Sequence, residues 1–218
     1  MSQSLFQDRK EAGAELAKAL KAHAGSETLV IGLPRGGVVV AAEIARELDA
    51  PLDIIVARKI GAPGHPEYGI GAVAPSGVRY VDAEAVRALK ISEGQLEEIT
   101  EQARKEADRR MQAYAGGRSM PEVEGREVII ADDGLATGST ARAAVEAAKK
   151  AGARRIVLAV PVGAAESVEA FESLVDEVVC LSRPRPFQAV GLWYTNFDQT
   201  SDEEVEELLR RYGTARFT

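Results

Sequence analysis

Cysteine, asparagine, tryptophan and histidine are scarce in this chain. The first of these closes off a class of protein. One cysteine, Cys180, among 218 residues rules out a disulfide framework and fits a reducing, cytoplasmic setting. It lies in the apolar run Val178-Val179-Cys180-Leu181 and reads as an inert core residue. No N-terminal apolar segment has the form of a secretion signal, and no apolar run is long enough to span a bilayer, so no membrane partner is expected. Positive charge is also short. With 27 Lys and Arg against 34 Asp and Glu, the net charge of −7 argues against a broad nucleic-acid surface. A local basic pocket for phosphates remains compatible with that charge. No fixed-period repeat and no low-complexity segment is present. The two histidines stand apart: His23 reads as a helix-surface residue and His65 as a solvent-facing loop residue.

What the chain does have is apolar content, 45%, enough for a full core. Residues 8–23 carry apolar positions at helical spacing, with Leu16 and Leu20 on one face. Buried strands are expected at 28–32, 52–56, 127–131, 154–160 and 177–181, with helices over 38–48, 141–150 and 164–174. Alternation of this kind implies an α/β fold, a parallel sheet flanked by helices with right-handed crossovers. The stretch 61–77, rich in Gly and Pro, reads as a mobile loop leading into a short ribbon. Residues 82–114 are charged and helical, with a break at Ser92 and Glu93. The whole reads as one domain, residues 1–218, carrying a helical insert at about 82–116 and a C-terminal segment at about 182–218.

The most informative run is Val128-Ile129-Ile130-Ala131-Asp132-Asp133-Gly134-Leu135-Ala136-Thr137-Gly138-Ser139-Thr140. A buried strand ends in paired acids, then turns through small and hydroxyl residues into a helix. The loop amides and the helix N-terminus favour an anion there. Gly138 permits close approach, and Thr137, Ser139 and Thr140 add hydroxyl donors. Like charges repel, so Asp132 and Asp133 do not take the phosphate. They suit ribose hydroxyls or the neighbourhood of a divalent cation. A second loop, Leu33-Pro34-Arg35-Gly36-Gly37, also joins a strand to a helix and therefore lies at the same carboxyl edge of the sheet. Arg35 offers a planar fork to phosphate oxygens. Arg58 and Lys59 are expected at the end of the second strand, beside that loop.

The acid-pair segment resembles the signature of the type I phosphoribosyltransferases, which use 5-phosphoribosyl 1-pyrophosphate (PRPP). The resemblance covers roughly residues 28–195 and is strongest at 128–140. It implies that Ala136, Thr137, Gly138, Ser139 and Thr140 hold the 5-phosphate, and that Asp132 and Asp133 hold the ribose. It gives the pyrophosphate to Arg35, Gly36, Gly37, Arg58 and Lys59, with Pro34–Arg35 as a cis peptide. Mg²⁺ bridged by the substrate, near Asp132 and Asp133, is the implied cofactor. The run Arg58-Lys59 through Glu67-Tyr68-Gly69 is similar to adenine-type enzymes, although its loop is shorter. Ala136 stands where hypoxanthine-guanine enzymes carry a base-assisting Asp, so Glu67 is assigned to orient or deprotonate the base, under a lid at 61–69.

In Arg183-Pro184-Arg185-Pro186-Phe187 through Trp193-Tyr194, Phe187 resembles the entry of the hood that covers the base. There Phe187 and Trp193 either stack on a base or pack against the core, as do Tyr194 and Phe197. Arg183 and Arg185 are rim charges. The insert either completes the hood or forms a contact in a homodimer. The expected partners are PRPP and a small nitrogen acceptor of the nucleobase type. The alternative is a module on the same fold that senses PRPP or a nucleotide without turnover.

Overall fold

The computed structural model describes residues 4–114 and 120–214. The expected end of the insert near 116 and the last four residues of the C-terminal segment fall outside that description. So do the side chains of Pro66, Glu67 and Ser76.

A parallel sheet of five strands organises the chain, in the order β2-β1-β6-β7-β8. These are β1 Thr28–Gly32, β2 Leu52–Ile54, β6 Glu127–Ala131, β7 Arg155–Val162 and β8 Glu177–Ser182. Every residue of β1 is buried, as expected for a strand covered on both faces. On one face lie α1 Arg9–Ala19, α2 Gly36–Leu48 and α7 Asp202–Tyr212. Their core joins Leu16, Leu20, Val40 and Ile44 to Val30 and Ile129 of the strands. On the other face α5 Ser139–Lys150 and α6 Ala165–Glu172 pack Val145, Val168 and Phe171 over Ile31, Ile130 and Leu158. The expected sheet is therefore present. Helix α1 starts where Asp8 accepts from the Glu11 amide at 2.9 Å, an N-cap that satisfies one of the first-turn donors.

Between β2 and β6 the chain builds an antiparallel sheet of three strands, β3 Arg58–Ala62, β4 His65–Val73 and β5 Arg79–Val81. Residues 61–69 are thus two paired strands joined by a tight turn at Pro63 and Gly64, not an open loop. Their Gly and Pro content hid a short apolar face. Ile60, Ala62, Ile70 and Val73 are buried with Ala85 of α3 Ala83–Ala88, and pack against Ile91 in the link that follows and Leu96 and Ile99 of α4 Glu93–Tyr114. The second strand also ends earlier than expected, at Ile54, so Arg58 and Lys59 open β3 instead of closing β2.

This small core predicts that Ile70→Ala costs about 2–5 kcal/mol, the usual range for a fully buried large-to-small change. Hydrogen exchange should place the loss in β3, β4 and α4. Equal deprotection of the parallel sheet would show that the two sheets unfold as one.

His23 departs from its expected place on the helix surface. A one-turn 3-10 helix, Lys21–His23, follows α1 and carries the imidazole beneath the sheet. There Nδ1 lies 2.7 Å from Glu127, Nε2 lies 3.5 Å from Glu177, and Arg155 lies 2.8 Å from Glu177. Glu127, Arg155 and Glu177 open β6, β7 and β8, so this ionic cluster fastens the amino edge of the sheet, opposite the two loops of interest. Among the described residues no helix is long and apolar enough to cross a membrane.

Candidate functional site

Strands β1 and β6 are neighbours in register, Gly32 beside Ala131. The loops that leave their carboxyl ends therefore emerge side by side. From β1 the chain passes Leu33, whose amide donates to the Ala131 carbonyl at 3.0 Å, and a cis peptide between Pro34 and Arg35, before α2 opens at Gly36. From β6 it passes directly into Asp132 and Asp133.

The two loops touch through Gly36 and Gly37. A Cβ on Gly36 would lie 2.0 Å from Asp133 Oδ2 and 2.6 Å from Arg9 Nε, and one on Gly37 would lie 2.8 Å from Asp132 Oδ1. The glycines let the start of α2 press against the acid pair, a packing role that adds to the backbone freedom expected of them.

Asp133 is held from several sides. Arg9, in the first turn of α1, donates through Nε at 2.7 Å and through its terminal nitrogen to the Asp198 carbonyl at 2.7 Å. The same guanidinium lies 3.8 Å from the centre of the Phe197 ring. The Tyr194 hydroxyl donates to the Asp133 carbonyl at 2.5 Å, and the Asp133 amide donates to Asp132 Oδ1 at 2.8 Å. Burial pushes the Asp132 carboxyl well above the ordinary range, and the charge on Asp133 adds to the rise. Burial raises Asp133 too, offset in part by Arg9. Tyr194 is also raised, first by burial and then by the charge of Asp133.

Sequence reasoning missed Arg9, which lies 124 positions before its partner. No local pattern distinguishes it from any other charged residue in a first helical turn.

Past the acids, Leu135 is buried and pinned at both ends: its amide donates to the Val162 carbonyl at 2.9 Å and its carbonyl accepts from Ala164 at 2.8 Å. The loop then turns outward. Ala136 and Thr137 are exposed, and Ser167 donates its hydroxyl to the Ala136 carbonyl. Gly138 takes φ 73°, in the left-handed region, and a Cβ there would meet Phe171 at 2.6 Å. Among the described residues no main-chain carbonyl accepts from the amides of 136–140. Beside them lies a cavity of about 610 Å³, lined by Tyr68, Tyr80, Thr137, Ser139, Arg142 and Ser167 among others.

Other expected site residues lie around this centre. Arg35 extends towards Asp202 at the start of α7, 3.6 Å away. Asp202 is held below its ordinary range first by the Tyr114 hydroxyl and also by Arg35. Arg58 and Lys59 are the first two residues of β3, paired with Val73 and Ala72 of β4. Glu67 belongs to β4, and its side chain lies outside the described part. Phe187 and Trp193 stack on each other, centroids 6.2 Å apart at 25°. They cover a cluster of Phe6, Tyr194, Val190 and Phe197. The Trp193 carbonyl accepts from Leu5 at 2.8 Å, while its buried Nε1 has no partner among the described residues.

A family model described as "Phosphoribosyl transferase domain" matches residues 2–194. A Mycobacterium tuberculosis H37Rv protein, provisionally named phosphoribosyl transferase Rv0571c, is 44% identical over 207 residues, 95% of this chain and 47% of its own length. The chain thus spans about half the length of that curated relative. A uracil phosphoribosyltransferase of Lactobacillus gasseri is 48% identical over 58 residues, 27% of this chain and 28% of that protein. In three dimensions the chain is similar to TT1426 from Thermus thermophilus, with TM-score 0.81 and 41% identity over 95% of this chain and 99% of that one.

Proposed function

The chain belongs to the phosphoribosyltransferase family, and from that premise we propose that it moves the 5-phosphoribosyl group of PRPP to a nitrogen acceptor of the nucleobase class, releasing pyrophosphate. The observation that carries the reading is the pairing of the two loops at the carboxyl edge. One offers unpaired amides to an anion, the other an arginine and two glycines, and a desolvated acid pair lies between them.

In this reading the amides and hydroxyls of Ala136, Thr137, Gly138, Ser139 and Thr140 hold the 5-phosphate. Asp132 and Asp133 accept from the ribose hydroxyls. Asp132 has the freer carboxylate, because Arg9 already occupies Asp133. Arg35, Gly36, Gly37, Arg58 and Lys59 take the pyrophosphate. The bond from C1 to the pyrophosphate oxygen breaks with its electron pair, which leaves with pyrophosphate. The acceptor's nitrogen lone pair closes on C1 from the opposite face. The proton it sheds passes to a base, the part given to Glu67. Phe187 and Trp193 belong to the hood over the acceptor, and helices α3 and α4 to an insert within one domain.

The donor set suits a hard cation poorly on its own: among the described residues no cluster of three or more His, Cys, Asp or Glu stands ready to hold a metal. Two neighbouring carboxylates do fit Mg²⁺ shared with substrate oxygens. Held near Asp132 and Asp133, the ion would neutralise charge developing on pyrophosphate. A reducing, cytoplasmic setting agrees with the lone, half-buried Cys180.

Pyrophosphate release from PRPP, measured with a panel that includes uracil and adenine, tests the reaction. A second reading, PRPP sensing without turnover, draws on the mutual stacking of Phe187 and Trp193, which engages the two rings with each other. PRPP binding with no release for any base favours that second reading. Crystals grown with sulfate or phosphate should carry an anion at the amides of 136–140. No anion there, and no competition by phosphate for PRPP, sinks the phosphate assignment common to both.

A further inference from the structure

Arg142 lies in the first turn of α5, four positions after Gly138, and its amide donates to the Gly138 carbonyl at 2.8 Å. A cation here faces the positive end of the helix dipole, which disfavours it, so helix stability does not account for the residue. No ion pair offsets the charge among the described residues. Two acids, Asp82 and Glu166, line the same cavity, and neither forms a salt bridge with it. The Asp82 carboxylate is engaged elsewhere, capping α3 through the amides of Glu84 at 2.9 Å and Ala85 at 3.0 Å. The Arg142 guanidinium instead lies 4.3 Å from the centre of the Tyr80 ring, contributed by β5. Contact with a ring face leaves the in-plane N–H groups free to donate, and the ring holds the fork in one orientation. The cavity beside it is the one lined by Thr137, Gly138 and Ser139.

We propose that Arg142 is a phosphate-selecting residue, its fork laid on Tyr80 and aimed at the phosphate monoester that the loop 136–140 receives. The proposal rests on the phosphate site argued above. Amides and hydroxyls recognise the shape of a phosphate, and Arg142 adds the full positive charge they lack. That charge distinguishes a dianionic monoester from a neutral sugar end. Because Tyr80 belongs to the antiparallel ribbon, the bound phosphate also ties the ribbon to the start of α5.

The test is calorimetric titration of the wild-type chain, Arg142→Gln, Arg142→Lys and Tyr80→Leu with ribose 5-phosphate, and separately with pyrophosphate and magnesium. Arg142→Gln should weaken ribose 5-phosphate about tenfold or more, the worth of a hydrogen bond to a charged group, and leave pyrophosphate unchanged. Arg142→Lys should recover part of the loss. Tyr80→Leu should cost a few-fold, on the order of an exposed cation–π contact. Equal affinity of wild type and Arg142→Gln for ribose 5-phosphate overturns the role of Arg142 and leaves the phosphate site standing. Equal losses for both ligands mark a structural effect and overturn it as well. A wild-type chain that ignores ribose 5-phosphate overturns the site itself.

Discussion

Replacing Asp132 and Asp133 together by asparagine should lower PRPP turnover by on the order of a hundredfold or more, the loss expected when two charged acceptors become neutral. The same replacement should not unfold the chain, and near neutral pH it should raise the unfolding midpoint. Both carboxyls sit at a desolvated strand end where burial opposes ionisation. Asparagine keeps an oxygen for Arg9 and removes the repulsion between neighbours. The pH dependence follows from the same cause. The folded chain keeps a proton on Asp132 at pH values where the unfolded chain, with an ordinary value of 3.8, has lost it. Stability therefore falls as pH rises from 3.8 through the raised folded value, and is regained on acidification through that window. Urea unfolding at a series of pH values should show this gain in the wild type and not in the double variant. A double variant with full activity would remove the acid pair from the mechanism. One that is less stable at neutral pH would show that the ion pair with Arg9 outweighs the burial of the carboxylates.

Gly36→Ala carries the second large effect. The added methyl would stand 2.0 Å from Asp133 Oδ2 and 2.6 Å from Arg9 Nε, inside contact distance of both partners of one ion pair. Either α2 retreats or the pair separates. The expected cost is about 1–3 kcal/mol, as for other overpacked sites. PRPP affinity should fall with it, because the loop before α2 and the acid pair can no longer close on each other. Gly25→Ala is the control: its nearest neighbour would be Thr28 Oγ1 at 3.9 Å, so stability should change by no more than about 0.5 kcal/mol. Thermal melts and PRPP titrations of the two variants decide the matter. If Gly36→Ala behaves like Gly25→Ala, the contact between loop and acids is looser than the geometry states.

The order strand, acids, loop, helix at 128–150 was legible because every part of it is local. Four of the five residues of β6 are apolar, and a left-handed glycine followed by hydroxyl residues opens α5. Leu16 and Leu20 were legible for a similar reason, since helical spacing alone put them on one face, where both are fully buried. The cis peptide at Pro34–Arg35 agreed with the resemblance and would not have followed from spacing. Three features escaped. The strand pairing of residues 61–69 escaped, although a short ribbon was expected after them, because the apolar face there spans only a few residues interrupted by glycine and proline, which read as loop. His23 escaped because one turn of 3-10 helix redirects a side chain that α-helical spacing would leave outside. The partners of Asp133 escaped because they are separated from it by 124 residues in one direction and 61 in the other, beyond the reach of any window pattern.

That last separation also sets an order of events during synthesis. As the chain is made from its amino end, Arg9 is available long before β6 exists, and the acid pair is complete once residue 133 has been added. Tyr194, Phe197 and Asp198, which hold the Asp133 backbone and the far side of the Arg9 guanidinium, come some sixty residues later. Contacts of such long range form late, after the loops between them have closed. A growing chain can therefore assemble its central strands while its best-defined motif stays unbraced, and competence arrives only when the segment around 194–198 folds back over residue 9.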